Sequence, residues 1–174
     1  MTVFTPKNPD FDAIYPLWNE AFGDSRTTAK RYFDAILPHS TLFLIMDENI
    51  PVSMLFSVEE QVLHHKISYI YAVATAKTHR GQGLATALLS FAEEASRNSG
   101  HAACLLCPAT PELGTFYARF GYQTWSQRDF LQGPENQVPA SIRTLHTAAT
   151  PTFAMAKIFR PDFPSAGTFR YPMD

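Results

Sequence analysis

The hydrophobic spacing of this chain changes abruptly at a pair of glycines, and that change limits the folds open to it. From Lys66 to Thr75 the pattern alternates, placing Ile67, Tyr69, Tyr71 and Val73 on one face of a predicted strand. From Leu84 the spacing is helical. Leu84, Leu88, Phe91, Ala92 and Ala95 make one stripe of a helix predicted over 83–97, with Glu93, Glu94 and Arg97 off it. Between strand and helix stands His79-Arg80-Gly81-Gln82-Gly83. Glycines let the backbone turn tightly and present successive N–H groups. The first-turn amides of a helix have no internal partner, and the helix dipole places positive potential there. Such a terminus suits phosphate or pyrophosphate with few basic side chains. The plainer alternative is a connection that only joins strand to helix.

The flanking sequence supplies the rest of the architecture. Thr2 to Phe4 is a short first strand. Asn8-Pro9 opens a helix over 10–22, in which Pro16 predicts a kink or a late start. Ser25 caps a second helix over 27–37. The runs 42–46 and 51–63, joined by Asp47-Glu48-Asn49, read as a hairpin, and His64-His65 turns into the strand that ends at Thr75. Ala102 to Cys107 is wholly apolar, as in a strand buried on both faces. A short helix over 112–120 closes at Gly121, a strand follows over 122–131, and 132–150 is a polar excursion. The last strand is 152–159. The predicted class is α/β (α+β) with a mixed central sheet. The predicted organisation is one domain over 1–160, with an extended tail over 161–174 where prolines recur.

Composition removes several functions. A hydrophobic fraction of 45% excludes wholesale disorder, and a net charge of -2 gives no footprint for nucleic acid or an anionic membrane. No apolar run is long enough to cross a membrane, and the N-terminus lacks a signal-peptide pattern. Two cysteines cannot make a disulfide scaffold, so a cytoplasmic location is expected. Cys104 and Cys107, three apart on a strand, point to opposite faces and read as core or pocket-lining thiols rather than a redox pair. Six scattered histidines have no ligand spacing, so no metal is expected.

Which phosphate ligand the glycines would serve is narrowed by what they lack. A P-loop needs Gly-Lys followed by Ser or Thr, and no lysine follows here. A dinucleotide loop wants Gly or Ala where Thr86 stands. Arg80-x-x-Gly83-x-Ala85 instead resembles the Arg/Gln-x-x-Gly-x-Gly/Ala signature of the GNAT superfamily of N-acetyltransferases. Tyr69 to Thr75 resembles that family's fourth strand, and Phe116-Tyr117-Ala118-Arg119-Phe120-Gly121-Tyr122 its Leu-Tyr-x-x-x-Gly-Phe element. Ala154 to Lys157 resembles the strand that closes its fold. Lys77 and Thr110 stand where the family often has Pro and Asn.

The resemblance implies a mostly antiparallel sheet of six to seven strands flanked by four helices. It implies acetyl-coenzyme A as cosubstrate, its pyrophosphate on the amides of Gly81, Gln82, Gly83, Leu84, Ala85 and Thr86, with Arg80 opening the loop. It implies a pantetheine arm along Val73, Ala74 and Thr75, with an amide near Val73 polarising the thioester carbonyl. Tyr117 falls at the family's general-acid position, although from spacing alone it reads as a packed aromatic at the end of a short helix. The implied partner is a small-molecule or peptide amine, and a homodimer is compatible with the family. Glu59 or Glu60 could serve as a base through water, or both could be solvated. The first two helices, which carry Tyr15, Trp18, Phe22, Tyr32 and Phe33, would flank the acceptor. The rival to a transferase is a non-catalytic acyl-coenzyme A binding or sensor module on the same fold.

Overall fold

A computed structural model of the chain describes residues 2–62, 64–127 and 153–166. Its seven-stranded sheet has the order β1-β2-β3-β4-β5-β7-β6. Strands β1 (Val3–Phe4), β2 (Ser40–Asp47), β3 (Ile50–Val62) and β4 (His65–Thr75) are antiparallel neighbours. Glu48 and Asn49 take positive φ in the tight turn between β2 and β3, the geometry that matches the twist of a two-residue hairpin. Helix α3 (Leu84–Asn98) then crosses over, so that β5 (Ala103–Leu106) returns parallel to β4. Strands β7 (Phe153–Ile158) and β6 (Gln123–Gln127) complete the sheet antiparallel. The observed class is the mixed, mostly antiparallel α/β architecture with four helices that the resemblance implies.

Each sheet face has its own core. Helices α1 (Phe11–Phe22) and α2 (Arg26–Ile36) bury Ile14, Leu17, Trp18, Phe33 and Ile36 against Phe56, Val58, Ile67 and Tyr69. Helices α3 and α4 (Pro111–Ala118) cover the other face, where Leu84, Leu88, Leu89 and Tyr117 meet Leu55, Ile70, Cys104 and Leu106. Each large side chain buried in this way contributes about 1.5–3 kcal/mol. Cys104 and Cys107 fall on opposite sides, in the α3 and α1 cores respectively. After β7 the chain turns back, burying Phe163 against Trp125, whose indole N–H donates to the Pro164 carbonyl at 2.8 Å.

Several local expectations are corrected. Asp10, not Asn8, caps α1, its carboxylate accepting from the Asp12 amide at 2.9 Å. Helix α1 starts at Phe11 and runs through Pro16, so it does not start late; Ile14 on one side of the proline and Leu17 and Trp18 on the other are anchored in the core. The buried stripe of α3 is rotated from the predicted one. Phe91 is exposed, while Leu89, Glu93 and Ser96 turn inward. Glu93 is tolerated there because Lys157 of β7 meets it as an ion pair. The excursion over 132–150 lies outside the described residues.

The correction with most bearing on function is in β4. Met54 faces Ala74 and Phe56 faces Tyr71, so Leu55 of β3 spans both Ala72 and Val73. Ala72 sits at φ 49, in the left-handed region. One extra residue in a strand reverses the facing of everything beyond it. Ile67, Tyr69 and Tyr71 share one face as expected, the one covered by α1 and α2, but Val73 turns to the α3 side and Ala74 takes its place.

Candidate functional site

Strands β4 and β5 pair only where Ile67, Ser68 and Tyr69 lie beside Ala103, Cys104 and Leu105. Strand β5 ends at Leu106, whereas β4 continues to Thr75. Among the described residues, the β5-side edge of β4 therefore has no strand partner beyond Tyr69. The Ala76 amide donates to the Val52 carbonyl at 2.9 Å, toward β3. By alternation Ala74 also faces β3, and its carbonyl accepts from Ser53 Oγ at 2.9 Å. The main-chain groups of Val73 and Thr75 face the open edge. This separates the three strand residues grouped by sequence: Val73 and Thr75 line the gap, while Ala74 is turned away because its backbone belongs to the β3 ladder.

At the end of this gap the chain turns through Lys77–His79 into α3. Gly81 and Gly83 both sit at φ 77, and a Cβ built on either meets no protein atom within 4 Å. The left-handed backbone calls for glycine, and the space above it is open. Gly83 stands at the helix N-cap with no side-chain cap. Among the described residues, no acceptor meets the amides of Gly81 to Thr86, and the first α3 bond runs from the Ala87 amide to the Gly83 carbonyl at 3.0 Å. The Gly83 amide and the first-turn amides of Leu84, Ala85 and Thr86 carry the partial positive charge of a helix N-terminus, which suits a pyrophosphate. Arg80 leans back on the strand, its Nε donating to the Thr75 carbonyl at 3.1 Å, and so ties the loop to the gap. The Glu20 carboxylate accepts from the Lys77 amide at 2.6 Å, and His79 reaches Asp47 at 3.1 Å; these brace the turn from α1 and β2.

Tyr117 lies on α4, in the core of the α3 side. It shares a core with Ile70 and Leu106, the residues around which β4 and β5 part. Its ring is edge-on to Phe116 and Tyr122 at 5.2 and 6.0 Å. It is 7% exposed, and burial pushes its phenol up to about 12. Thr110 caps α4, accepting from the Leu113 amide, so the position where the family often has Asn is occupied by a structural cap.

The two base candidates stand apart from this centre. Glu59 is exposed and paired with Lys66 at 3.0 Å. Glu60 lies opposite Ile67, five residues before Ala72, which at about 3.3 Å per residue is roughly 17 Å along the strand. A general base must come within hydrogen-bond reach or one water of its proton, which neither does at the bulge. Burial raises the Glu60 pKa, with the Gln61 amide opposing; that shift belongs to the far end of the strand. Sequence reasoning missed Ala72, whose left-handed conformation opens the edge, because alanine carries no compositional mark of a bulge.

Comparison with known proteins agrees with this fold. The family model described as the acetyltransferase (GNAT) domain matches residues 3–125. A GNAT family N-acetyltransferase from Escherichia coli, solved in complex with CoA, superposes with TM-score 0.65 at 16% identity, covering 90% of this chain and 80% of that one. An aminoglycoside 6'-N-acetyltransferase from Acinetobacter haemolyticus superposes with TM-score 0.65 at 15% identity, over 78% of this chain and 100% of that one. A conserved protein of unknown function from Enterococcus faecalis gives 0.63 at 19% identity, over 71% of this chain; the match spans only 32% of that longer protein. No curated protein sequence matches the chain significantly.

Proposed function

The chain belongs to the family of GNAT acetyltransferases, and we propose that it transfers an acetyl group from acetyl-coenzyme A to a primary amine. The observation that carries this reading is the run of six amides, Gly81 to Thr86, that meet no acceptor among the described residues and open onto an unpaired strand edge. The amides would hold the pyrophosphate, with Arg80 keeping the loop against Thr75. Main-chain groups of Val73 and Thr75 would take the pantetheine amides as a further strand does. Acetyl-coenzyme A supplies an activated thioester. A neutral amine forms the new C–N bond, the C–S bond breaks, and the attacking nitrogen gives up one proton. Tyr117 would protonate the departing thiolate, and an amide near Val73 would stabilise charge on the carbonyl oxygen.

Two measurements test the reading. Coenzyme A should raise the melting temperature, by about 2.7 kcal/mol of stability at a hundredfold excess over Kd, and pantetheine much less. Gly83→Glu puts a carboxylate into the cradle and should abolish the shift while the far-ultraviolet spectrum stays folded. Equal shifts from both ligands, or retained binding by the variant, would remove the loop from cofactor recognition. Thiol release from acetyl-coenzyme A with an amine panel, the products read by mass spectrometry, then separates transferase from binding module. Binding without release for any amine would favour the module.

A further inference from the structure

The sheet face opposite Tyr117 holds a carboxylate that the reading above leaves unused. Asp24 lies between α1 and α2 and is only partly exposed. Its Oδ2 accepts from the Trp18 indole N–H at 2.9 Å. Its carbonyl accepts from Asn19 Nδ2 at 2.9 Å and from the Tyr15 hydroxyl at 3.4 Å, so the residue is held in place. Yet no ion pair among the described residues includes it. Tyr32 stacks on Trp18 at 6.3 Å. Burial raises the Tyr32 phenol first and the Asp24 charge second, with the Arg31 charge opposing, which sets the carboxylate within electrostatic reach of that ring. Trp18 also meets Tyr71 at 6.4 Å, and Tyr71 immediately precedes the bulge at Ala72 and Val73. Tyr32 and Tyr71, both half-buried, thus flank the buried Trp18 between the carboxylate and the bulge.

A carboxylate drawn partly out of water is stabilised by a counter-cation, and aromatic faces attract ammonium groups. We propose that Asp24, with the half-buried rings of Tyr32 and Tyr71, anchors an ammonium group of the acceptor, and that the acceptor is a diamine or polyamine. The inference rests on the transferase reading. An ammonium held in an ion pair is protonated and cannot attack a thioester. The nitrogen held by Asp24 and the nitrogen that is acetylated are therefore different atoms, and the methylene chain between them lies along the rings. The chemistry balances as before: one nitrogen loses a proton and gains the acetyl group, the sulfur gains a proton, and the anchored ammonium is unchanged.

The test compares matched amines. Catalytic efficiency with cadaverine, the five-carbon diamine, is measured against pentylamine, and the comparison is extended to shorter and longer linear diamines with their monoamine counterparts. The wild type should favour the diamine by about tenfold at the best length, the order of one partly buried ion pair. Asp24→Asn retains an acceptor for the Trp18 indole and should bring the ratio close to unity. Near-ultraviolet dichroism reports whether it folds. Should it not fold, Tyr32→Leu removes one ring and should lower the ratio severalfold. A ratio near unity in the wild type at every length, or one that survives Asp24→Asn, overturns the proposal. Calorimetry of cadaverine on the coenzyme A complex separates the two readings. Asp24-dependent binding without acetylation of any amine supports the anchor and overturns the transferase. Efficient acetylation of monoamines with no diamine preference overturns the anchor and leaves the transferase standing.

Discussion

A phenol pushed up to about 12 is an acid that stays protonated at any physiological pH. Tyr117 would therefore always be available as a donor. Its difficulty is driving force, since a free thiol titrates near 8.5. A thiolate released into the same dry site is itself destabilised, which raises its proton affinity toward that of the phenol. Tyr117→Phe keeps the ring contacts with Phe116 and Tyr122 and removes only the hydroxyl. Its kcat should fall roughly ten- to a thousandfold, with little change in KM for acetyl-coenzyme A. Wild-type turnover, with chemistry shown to limit the rate, would remove Tyr117 from the mechanism and leave solvent as the proton source. The place of Tyr117 on a short helix was legible because a motif surrounds it; the depth of its burial was not, because it belongs to a core shared with residues of distant strands.

At the scale of elements, the bulge in β4 and the early end of β5 together make the gap. Ala72 holds the left-handed conformation that costs a non-glycine residue roughly 1–2 kcal/mol. Ala72→Gly should relieve that strain, offset in part by a more flexible unfolded chain. The net expectation is a gain of up to about 1 kcal/mol in urea unfolding, whereas Ala72→Val should lose at least as much. A clear loss with glycine would mean that the residue is not left-handed in solution. Alternation along β4 was read correctly up to Tyr71 and failed at Val73, since a period of two carries no information about where an extra residue is inserted. The rotated stripe of α3 has a similar origin. A rule that puts charge outside cannot foresee Glu93 facing inward toward Lys157, which lies 64 residues away.

Across the whole molecule, the α3-side core concentrates groups that resist ionisation. Burial pushes the Cys104 thiol up to about 11 and Tyr117 to about 12, and raises Tyr122 as well. All three are neutral in the folded state at pH values where the unfolded chain already loses their protons. The unfolded state then binds fewer protons than the native one, so stability falls as pH rises. The fall should begin near 9, where a free thiol ionises, steepen above 10, and continue to about 12. Denaturant midpoints measured from pH 7 to 11 check this, and Tyr117→Phe should make the decline above pH 10 shallower. An alkaline limb unchanged by that variant would mean that Tyr117 is not buried as described.

Local pattern by itself determined the element order, the hairpin between β2 and β3, the strand-to-helix turn with its two glycines, and the family resemblance. These are written in short-range spacing and in residues whose backbone preferences do not depend on distant neighbours. Only the tertiary structure decided that Val73 and Thr75 face a gap while Ala74 faces β3, that Glu60 lies far from the bulge, and that Asp24 sits beside aromatic rings with no ion-pair partner among the described residues. Each depends on which strand ends first, where one residue is inserted, and which helix packs above. Those outcomes arise from contacts between segments far apart in the chain, where local periodicity is silent.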